Sequence, residues 1–403
     1  MTEPAPRPAL PTDDPAGAPA VAAMVDLDHP LKRETAEWAA AELAQGDRVE
    51  RDRCAVFGEE DWRRCAERGI QGVIVDPALG GRGLDLASAL LIMEGLGYGC
   101  RDQGLAFALA SQIFSTQIAL AQFGSDEQQA RWMPGLVDGS VIGTFAITEP
   151  ESGSDAYSMA ARAERVEGGG YRITGHKAYL TLATRSDVVI VFASTRPDAG
   201  RWGISGFVVP TNTPGVEIRP NRDKMGMRTT PFGDIVFDGA EVPESARLGP
   251  EGAGVSIFSN AMEYERAFVF STQIGAMERG LDDSVAYARE REQGGVAIGT
   301  HQAVSHRLAD MKLRHETART FLYKSVLQSA LDRPVTMTAA LTKLVTSEGA
   351  LANAIDATLL HGAKGYVSEF EVERDLRDAA GGLIYSGTSD IQKNIVARLL
   401  GVG

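Results

Sequence analysis

The hydrophobic pattern of this chain changes its period twice, and this limits the possible fold more than any other feature. From residue 28 to about 140, and again after about 250, apolar residues recur at the spacing of amphipathic helices. Between residues 141 and 250 the pattern changes to short apolar runs separated by Gly- and Pro-containing turns, which is typical of β-strands. The sequence therefore predicts an α+β protein with an N-terminal helical domain (28–140), a central, mostly antiparallel β-domain (141–250) and a C-terminal four-helix bundle (251–403).

Helical spacing places the individual elements. Ser125 and Gln128 fit a capping box at the start of the last helix of the first domain, and Pro134 is expected to end that helix. Residues 1–27, rich in Pro and Ala with scattered acidic residues, are expected to form a disordered tail. The predicted helices cover residues 34–45, 59–69, 87–97, 104–123, 126–133, 258–291, 299–331, 334–360 and 390–400.

Composition excludes several classes of protein. A formal net charge of −14 argues against a nucleic-acid-binding surface. Cys54, Cys65 and Cys100 are an odd set of thiols without ligand spacing, which disfavours disulfides and a metal site and fits a cytoplasmic location. No stretch approaches the length needed to span a bilayer, and the most apolar segments are interrupted by Gln, Gly or charge, so we expect no membrane span.

One irregular segment, GTFAITEPESGSD at residues 143–155, follows an apolar run. Pro150 fixes its own φ and Gly153 permits close approach of the backbone, while nearby hydroxyls and free amides suit a flat ligand with polar edges. Taken alone, the segment is equally compatible with an ordinary loop. It resembles the flavin- and substrate-binding loop of the acyl-CoA dehydrogenase family, and the resemblance extends over essentially everything after residue 28.

The resemblance implies an FAD site. An aromatic face and a hydroxyl donor can hold a flavin and tune its electron affinity. Read without the family, the pair Tyr179 and Thr181 indicates only β-forming residues on one face of a strand. The positions that match family contacts to the flavin are Phe145, Ile147, Thr148, Gly153, Ser154, Tyr179 and Thr181, of which Ser154 also matches a substrate contact.

Two further segments resemble the parts of the family that bind the adenosine end of FAD. In YAREREQGGVAIGTHQ (residues 287–302), Arg291 matches an arginine that contacts the FAD pyrophosphate of a neighbouring subunit, and Gln302 matches a position near the adenosine. Gly362 opens a segment similar to the family's Gly-rich loop. Gly294 and Leu359 depart from the usual Phe and Gln, so this end of FAD is expected to be held differently. The resemblance implies a homodimer or homotetramer.

The segment IYSGTSDIQ (residues 384–392) resembles the family's last flavin-binding segment. Thr388, Ser389 and Asp390 match contacts to the flavin nucleotide, and Ser389 with Gln392 fits a capping box. Most family members have a glutamate, the base that removes the α-proton, where this chain has Ser386. A serine hydroxyl cannot act as that base unaided, because its pKa lies far above the working range.

A replacement base is present in EYER (residues 263–266). In the family subgroup typified by isovaleryl-CoA dehydrogenase, the catalytic Glu precedes an Arg on a helix, and Glu265 and Arg266 fit that pattern. Glu263 matches an acidic contact to the substrate's pantetheine. It is expected to face away from Glu265, because residues two apart on a helix do not share a face. By composition alone a solvated helix face is the more common reading of these residues.

The activity implied by the resemblance is FAD-dependent α,β-dehydrogenation of an acyl thioester. Glu265 is the predicted base, and Arg266 and Ser386 are predicted substrate contacts, the latter through its backbone N–H. The thioester is carried by coenzyme A or by an acyl or aminoacyl carrier protein, and electron-transfer flavoprotein is an expected acceptor. Two alternatives stay open: a flavin oxidase or monooxygenase of the same fold, and a non-catalytic FAD- or thioester-binding subunit.

Overall fold

The computed structural model describes residues 18–220 and 222–402. Its N-terminal part is helical, with α8 opened by the predicted Ser125–Gln128 capping box and continuing through Pro134 for another turn. The helices of this part are α1 (Ala18–Val25), α2 (Pro30–Glu42), α3 (Arg48–Arg53), α4 (Glu59–Glu67), α5 (Leu86–Gly99), α6 (Gln103–Ser111), α7 (Ile118–Phe123) and α8 (Asp126–Asp138).

The predicted tail needs a correction. Residues 18–25 are not disordered: they form α1, whose Ala20 and Ala23 are buried. Arg319 of a later helix donates hydrogen bonds to the carbonyl oxygens of Ala23 and Met24 at 2.7 and 2.9 Å, which fixes α1 to the helical core. The prediction for residues 1–17 lies outside the described residues.

A π-helical segment, Gln112–Gln117, joins α6 to α7, and all six of its residues are buried. The combined stretch Gln103–Phe123 is long and apolar enough to cross a bilayer, so the expectation that no segment reaches that length was wrong. Of its most apolar window, 83% is buried inside the protein. That burial identifies it as a core helix of the folded domain.

The central domain is one eight-stranded sheet with the order β6-β7-β3-β2-β4-β5-β8, and β1 pairs with β4 outside that path. Most pairings are antiparallel. The exceptions among the described strands are β1 with β4, and β2 with β4, which are parallel; β2 and β4 pair at a single position. The strands are β1 (Gly143–Ala146), β2 (Arg162–Arg165), β3 (Tyr171–Thr181), β4 (Val188–Ser194), β5 (Ile204–Pro210), β6 (Val216–Arg219), β7 (Phe232–Val242) and β8 (Arg247–Leu248).

The C-terminal part is helical again, with α10, α11 and α12 packed on one another and α14 packed on α12. The predicted helix 258–291 is in fact two helices with a break after Phe268, and a helix that was not predicted, α13, precedes α14. The elements are α9 (Gly254–Phe268), α10 (Ser271–Glu290), the short hairpin β9 (Glu292–Gln293) and β10 (Val296–Ala297), α11 (Gln302–Ala330), α12 (Thr336–His361), α13 (Val372–Gly381) and α14 (Ser389–Leu399).

Helix α9 lies where the three parts meet. On one side its Ile257 and Ala261 share an apolar cluster with Phe192 and Val208 of the sheet. At its other end, Phe268 belongs to the large cluster formed by the N- and C-terminal helices. Whatever α9 carries near its C-terminal end is therefore held between the sheet and the helical core.

Candidate active site

Glu265 lies in the last turn of α9, and both oxygens of its carboxylate accept hydrogen bonds from serine hydroxyls. Ser115 Oγ donates to Oε2 and Ser386 Oγ donates to Oε1, each at 2.6 Å. The three residues come from three separate segments of the chain. Distances of 2.6 Å are typical of hydroxyls that donate to an ionised carboxylate.

The backbone around both serines is unusual. Ser115 lies in the π-helical segment, where the backbone turns more widely than in an α-helix, and its side chain is 1% exposed. Ser386 has φ +57°, in the left-handed region that non-glycine residues rarely adopt. The amide of Gln392 fixes this turn by donating to the carbonyl oxygens of Ser386 and Gly387 at 3.1 and 3.0 Å.

Burial raises the pKa of Glu265 above its ordinary value, because the charged form loses water. The hydroxyls of Ser115 and Ser386 and the positive charge of Arg266 oppose that rise. The side chain is not sealed off, since part of its surface is still accessible. The arrangement provides an ionisable carboxylate whose affinity for a proton is increased and which a substrate can reach.

The neighbours of Glu265 on α9 point to other partners. The carboxylate of Glu263 accepts a hydrogen bond from Thr336 Oγ1 of α12, so it binds a different element from Glu265, as expected for residues two apart. Arg266 is partly buried, and its Nε has no hydrogen-bond partner among the described residues. Such a donor is available to a ligand.

The predicted flavin-binding residues of the β-domain lie side by side. Ala178 N donates to Thr148 O at 2.9 Å, which brings the end of β1 beside Tyr179 on β3. Tyr179 is 50% exposed with φ +60°, at an irregular point in the pairing of β3 with β7, and Asp234 accepts its backbone N–H at 3.2 Å. Ile147, Thr148 and Thr181 are partly exposed beside it.

Phe145, one of the predicted flavin contacts, also packs against two other aromatic rings. Its ring lies 5.1 Å from that of Phe192 on β4 and 6.4 Å from that of Phe258 on α9. The three rings join the sheet to the helix that carries Glu265. Phe145 therefore also positions α9 against this edge of the sheet.

The loop that contains Gly153 and Ser154 is exposed but anchored at its base. Glu149 accepts hydrogen bonds from the backbone N–H groups of Ala160 and Ala161 at 2.6 and 3.0 Å and from Lys177 Nζ at 2.9 Å. These contacts close the loop on itself and tie it to β3. Sequence reasoning missed both Glu149 and Lys177.

The start of α14 differs from the predicted capping box. The N-cap is Thr388, whose hydroxyl accepts from Ile391 N at 3.2 Å. Gln392 is turned toward the Ser386 carbonyl instead of completing a box with Ser389. The hydroxyl of Ser389 is buried without a partner among the described residues, and Asp390 is exposed.

The predicted adenosine-binding residues lie on the C-terminal helices, not on the β-domain. Tyr287 near the end of α10 stacks on His361 at the end of α12, with ring centroids 4.3 Å apart. This stacking brings the segment of Arg291 and Gln302 toward that of Gly362. All three residues are exposed.

The predicted sites fit the parts of FAD. An exposed aromatic ring beside partly exposed hydroxyls suits a flat ring system with polar edges. The Arg291 guanidinium, which has no ion-pair partner among the described residues, suits a pyrophosphate. No group of three or more His, Cys, Asp and Glu side chains within residues 18–220 and 222–402 is arranged to hold a metal ion.

A separate cavity of about 50 Å³ lies behind Tyr385, the residue before Ser386. Its walls include Phe107, Gln273 and Asp378. The rings of Phe107 and Tyr385 lie 4.5 Å apart, and Phe270 stacks on Tyr385 from 5.1 Å. The three rings pack on one another, and Tyr385 connects them to Ser386 of the Glu265 site.

Comparison with protein families agrees with this layout. The acyl-CoA dehydrogenase N-terminal, middle and C-terminal domain models match residues 28–140, 144–240 and 252–401. L-prolyl-[peptidyl-carrier protein] dehydrogenase from Pseudomonas fluorescens is 41% identical over 344 residues, which cover 85% of this chain and 90% of the relative.

Solved structures are similar over almost the same length. The crystal structure of the prolyl acyl carrier protein oxidase AnaB has a TM-score of 0.90 and 36% identity and covers 92% of this chain and 98% of its own. The structure of PigA with FAD and proline has a TM-score of 0.90 and 34% identity, with coverage of 94% and 100%. This chain belongs to the acyl-CoA dehydrogenase family.

Proposed function

We propose that this chain is an FAD-dependent dehydrogenase that oxidises the prolyl group of a carrier-protein thioester, with Glu265 as its base. The observation that carries the proposal is the carboxylate of Glu265, enclosed on α9 with both oxygens held, in a chain that has Ser386 where most of the family has its glutamate. Family membership supports the reaction class and FAD. The prolyl group and the carrier protein are supported by the names of the relatives.

FAD supplies the acceptor for the hydride that leaves the substrate's β-carbon. Glu265 accepts the α-proton, so the substrate loses one proton and one hydride and gains a double bond between its α- and β-carbons. The base must be ionised to act. Burial raises the pKa of Glu265, which brings it nearer the working pH, as an efficient base requires. For a prolyl thioester the product is an unsaturated five-membered ring still attached to the carrier.

Negative charge that develops on the thioester oxygen needs a fixed donor. The backbone N–H of Ser386 has no acceptor among the described residues, and it lies next to the hydroxyl that holds Glu265. It is therefore available to the thioester. Replacing the family's glutamate with serine leaves this backbone donor in place.

Three residues are proposed to contact the pantetheine arm: Ser154 on the anchored loop, and Glu263 and Arg266 on α9. The buried Nε of Arg266 lacks a protein acceptor, which supports a ligand contact. The arm is common to coenzyme A and carrier proteins. These contacts therefore fix where the thioester lies, while the carrier itself is recognised elsewhere.

Arg291, Gln302 and Gly362 are proposed to complete the FAD site of a neighbouring subunit in a homodimer or homotetramer. Their exposure and their position on the C-terminal helices support a contact across an interface. Three free thiols support a reducing, cytoplasmic location. Electron-transfer flavoprotein is the proposed acceptor, and dioxygen is the second candidate because one solved relative is named an oxidase.

The test is anaerobic reduction of the bound flavin. Purified enzyme is mixed with L-prolyl carrier protein, L-prolyl-CoA, isovaleryl-CoA and butyryl-CoA in separate experiments, and absorbance of the oxidised flavin is followed. We expect rapid bleaching with the prolyl carrier protein. Bleaching by isovaleryl-CoA or butyryl-CoA alone would overturn both the prolyl and the carrier assignment, and bleaching by L-prolyl-CoA alone would overturn the carrier assignment. Bleaching by none of the four would overturn the reaction.

Two variants identify the base. Glu265→Gln should bind FAD with an unchanged spectrum but lose bleaching by at least about 10³-fold, because the amide cannot accept the proton. Glu263→Gln, two residues earlier, should retain bleaching with a raised KM. Aerobic and anaerobic turnover with and without electron-transfer flavoprotein then separates the two acceptors.

A further inference from the structure

We infer that Ser115 and Ser386 are positioning residues for the base: together they hold the Glu265 carboxylate in one orientation and favour its ionised form. The inference rests on the proposed function, since it concerns the residue that removes the α-proton. It adds two roles that the sequence did not predict. Neither serine is proposed to exchange a proton with the substrate.

Each oxygen of the Glu265 carboxylate accepts a hydrogen bond from a different serine. Ser115 Oγ lies 2.6 Å from Oε2 and Ser386 Oγ lies 2.6 Å from Oε1, so each oxygen has its own donor. Among the described residues neither hydroxyl has a second hydrogen-bond partner. A carboxylate held at both oxygens cannot rotate about its last bond without breaking both hydrogen bonds. A protonated carboxyl accepts two such bonds less well, because one of its oxygens carries the proton.

Backbone that departs from regular structure presents both hydroxyls. Ser115 lies in a π-helical turn and Ser386 in a left-handed turn with φ +57°. Each conformation costs free energy relative to an α-helix or an extended strand. The two turns are far apart in sequence and converge on one carboxylate. Convergence of two such conformations on one reactive group is typical of a functional site.

The surroundings leave few other groups to control the charge of Glu265. Arg266 on the same helix favours the ionised form of Glu265. Burial and the charge of Glu265 raise the pKa of the Tyr385 hydroxyl above its ordinary value, so this neighbour carries no charge. The π-helical segment (Gln112–Gln117) and α7, both packed on α9, contain no ionisable side chain. On α12, also packed on α9, the Lys343 ammonium lies over the Phe270 ring instead.

Three further elements packed on α9 complete the ionisable surroundings. Strand β5 carries no ionisable side chain, and Glu263 binds Thr336 at the start of α12. The 3-10 segment at 197–203 meets the N-terminal part of α9, two to three turns from Glu265, with its exposed Asp198 and Arg201. The remaining contact is with α11, whose Lys324 lies over Phe321. The two serines are therefore the main polar contacts of the carboxylate.

Four substitutions test the inference. Ser115→Ala and Ser386→Ala each remove one donor, and the double variant removes both. Ser386→Gly also removes the hydroxyl but relieves the left-handed backbone, which separates strain from hydrogen bonding. Ser115→Thr keeps a hydroxyl at this position and is compared with Ser115→Ala. Ser325→Ala deletes a fully buried hydroxyl of α11 that bonds to Phe321 O and Thr342, and serves as the matched control.

The readout is the pH profile of kcat/KM for flavin reduction by prolyl carrier protein. Without a donor the base takes up its proton more readily, so the acid limb should move to higher pH. At pH 6 each single variant should lose about tenfold and the double variant about a hundredfold, with part of the loss recovered at high pH. FAD content should be unchanged, Ser115→Thr should restore the profile, and Ser325→Ala should match the parent enzyme.

A second readout needs no substrate. The infrared C=O band of a protonated carboxyl, taken as parent minus Glu265→Gln, should appear at higher pH in the double variant than in the parent. If the parent enzyme is bleached and the variants show the same acid limb and infrared titration as the parent, the positioning role is wrong while the function stands. If the parent enzyme is not bleached, the function fails, and the infrared titration still decides whether the serines hold Glu265.

Discussion

Lys177 Nζ and Glu149 Oε1 lie 2.9 Å apart in the interior of the β-domain, where the two side chains are 0% and 6% exposed. Burial lowers the pKa of Lys177 to about 8, although the carboxylate opposes that change. Burial also disfavours ionised Glu149, but Lys177 and the two backbone N–H groups outweigh it and keep the pKa of Glu149 below its ordinary value. The pair fixes the base of the loop that carries Ser154.

Removing one partner of this pair should be costly. Glu149→Gln leaves a buried ammonium without its counter-charge, and we expect about 3–5 kcal/mol lower free energy of unfolding in chemical denaturation. The control is Glu241→Gln, which breaks the exposed ion pair with Arg172 and should cost at most about 1 kcal/mol. Equal losses in the two variants would show that burial of the first pair is unimportant.

The stability of the protein should depend on the ionisation of Asp378. Burial raises the pKa of this carboxyl to about 7, against the favourable effects of Met227 N–H and Arg374. The folded state therefore holds a proton that the unfolded state releases between about pH 4 and 7, so this group lowers stability as pH rises through that window.

Asp378→Asn should remove that dependence. We expect the variant to exceed the parent by on the order of 2–4 kcal/mol at pH 8, and by much less at pH 5, in parallel denaturation curves. Asp238→Asn, at an exposed position, is the control and should change neither value. A constant difference between variant and parent at all pH values would exclude titration of Asp378 as the cause.

Arg291 should contribute to binding the FAD of a neighbouring subunit. Arg291→Ala is expected to weaken FAD retention by about tenfold or more through loss of a charge-assisted hydrogen bond. Arg289→Ala, exposed two residues earlier at the end of α10, should retain FAD.

Mixed oligomers test the direction of that contact. Co-expressed Glu265→Gln and Arg291→Ala chains should recover activity, because one site then combines an intact base with an intact arginine from the other subunit. A homo-oligomer in which Arg291 serves its own subunit would recover none.

Phe107 should limit the size of the acyl group. Its ring lies 4.5 Å from that of Tyr385, the residue before Ser386, and both rings line the cavity of about 50 Å³. Phe107→Ala should enlarge that cavity next to Tyr385, so flavin reduction by hexanoyl thioesters should increase relative to that by prolyl thioesters. Phe321→Ala on α11, which does not line that cavity, should leave the ratio unchanged.

Much of the architecture could be predicted because it depends on local pattern. The period of apolar residues gave the order of helical and β regions. Glu265 as the base stays a prediction, which comes from the resemblance to the family subgroup with a Glu before an Arg on this helix and not from local pattern. The break after Phe268 was not visible, because apolar residues continue from Ala267 through Phe270 and no Gly or Pro lies between the two helices.

The parts that could not be predicted depend on contacts distant in sequence. Glu149 and Lys177 meet only because β1 and β3 lie side by side. Ser115 reaches Glu265 because the chain forms a π-helical turn, and the only signal in the sequence was a serine within an apolar helix. In both pairs, the residues adjacent in sequence do not indicate which distant residue the side chain will contact.

Helix α1 has a practical consequence for anyone producing this protein. Arg319, 1% exposed, bonds to Glu94, which is wholly buried, and to the carbonyl oxygens of Ala23 and Met24. A recombinant protein that starts at residue 28, a natural choice if the first 27 residues are taken for a dispensable tail, would lack those carbonyl groups. It would also expose the apolar core residues against which Ala20 and Ala23 pack. A recombinant chain should therefore include residue 18 and everything after it, so that helix α1 is complete.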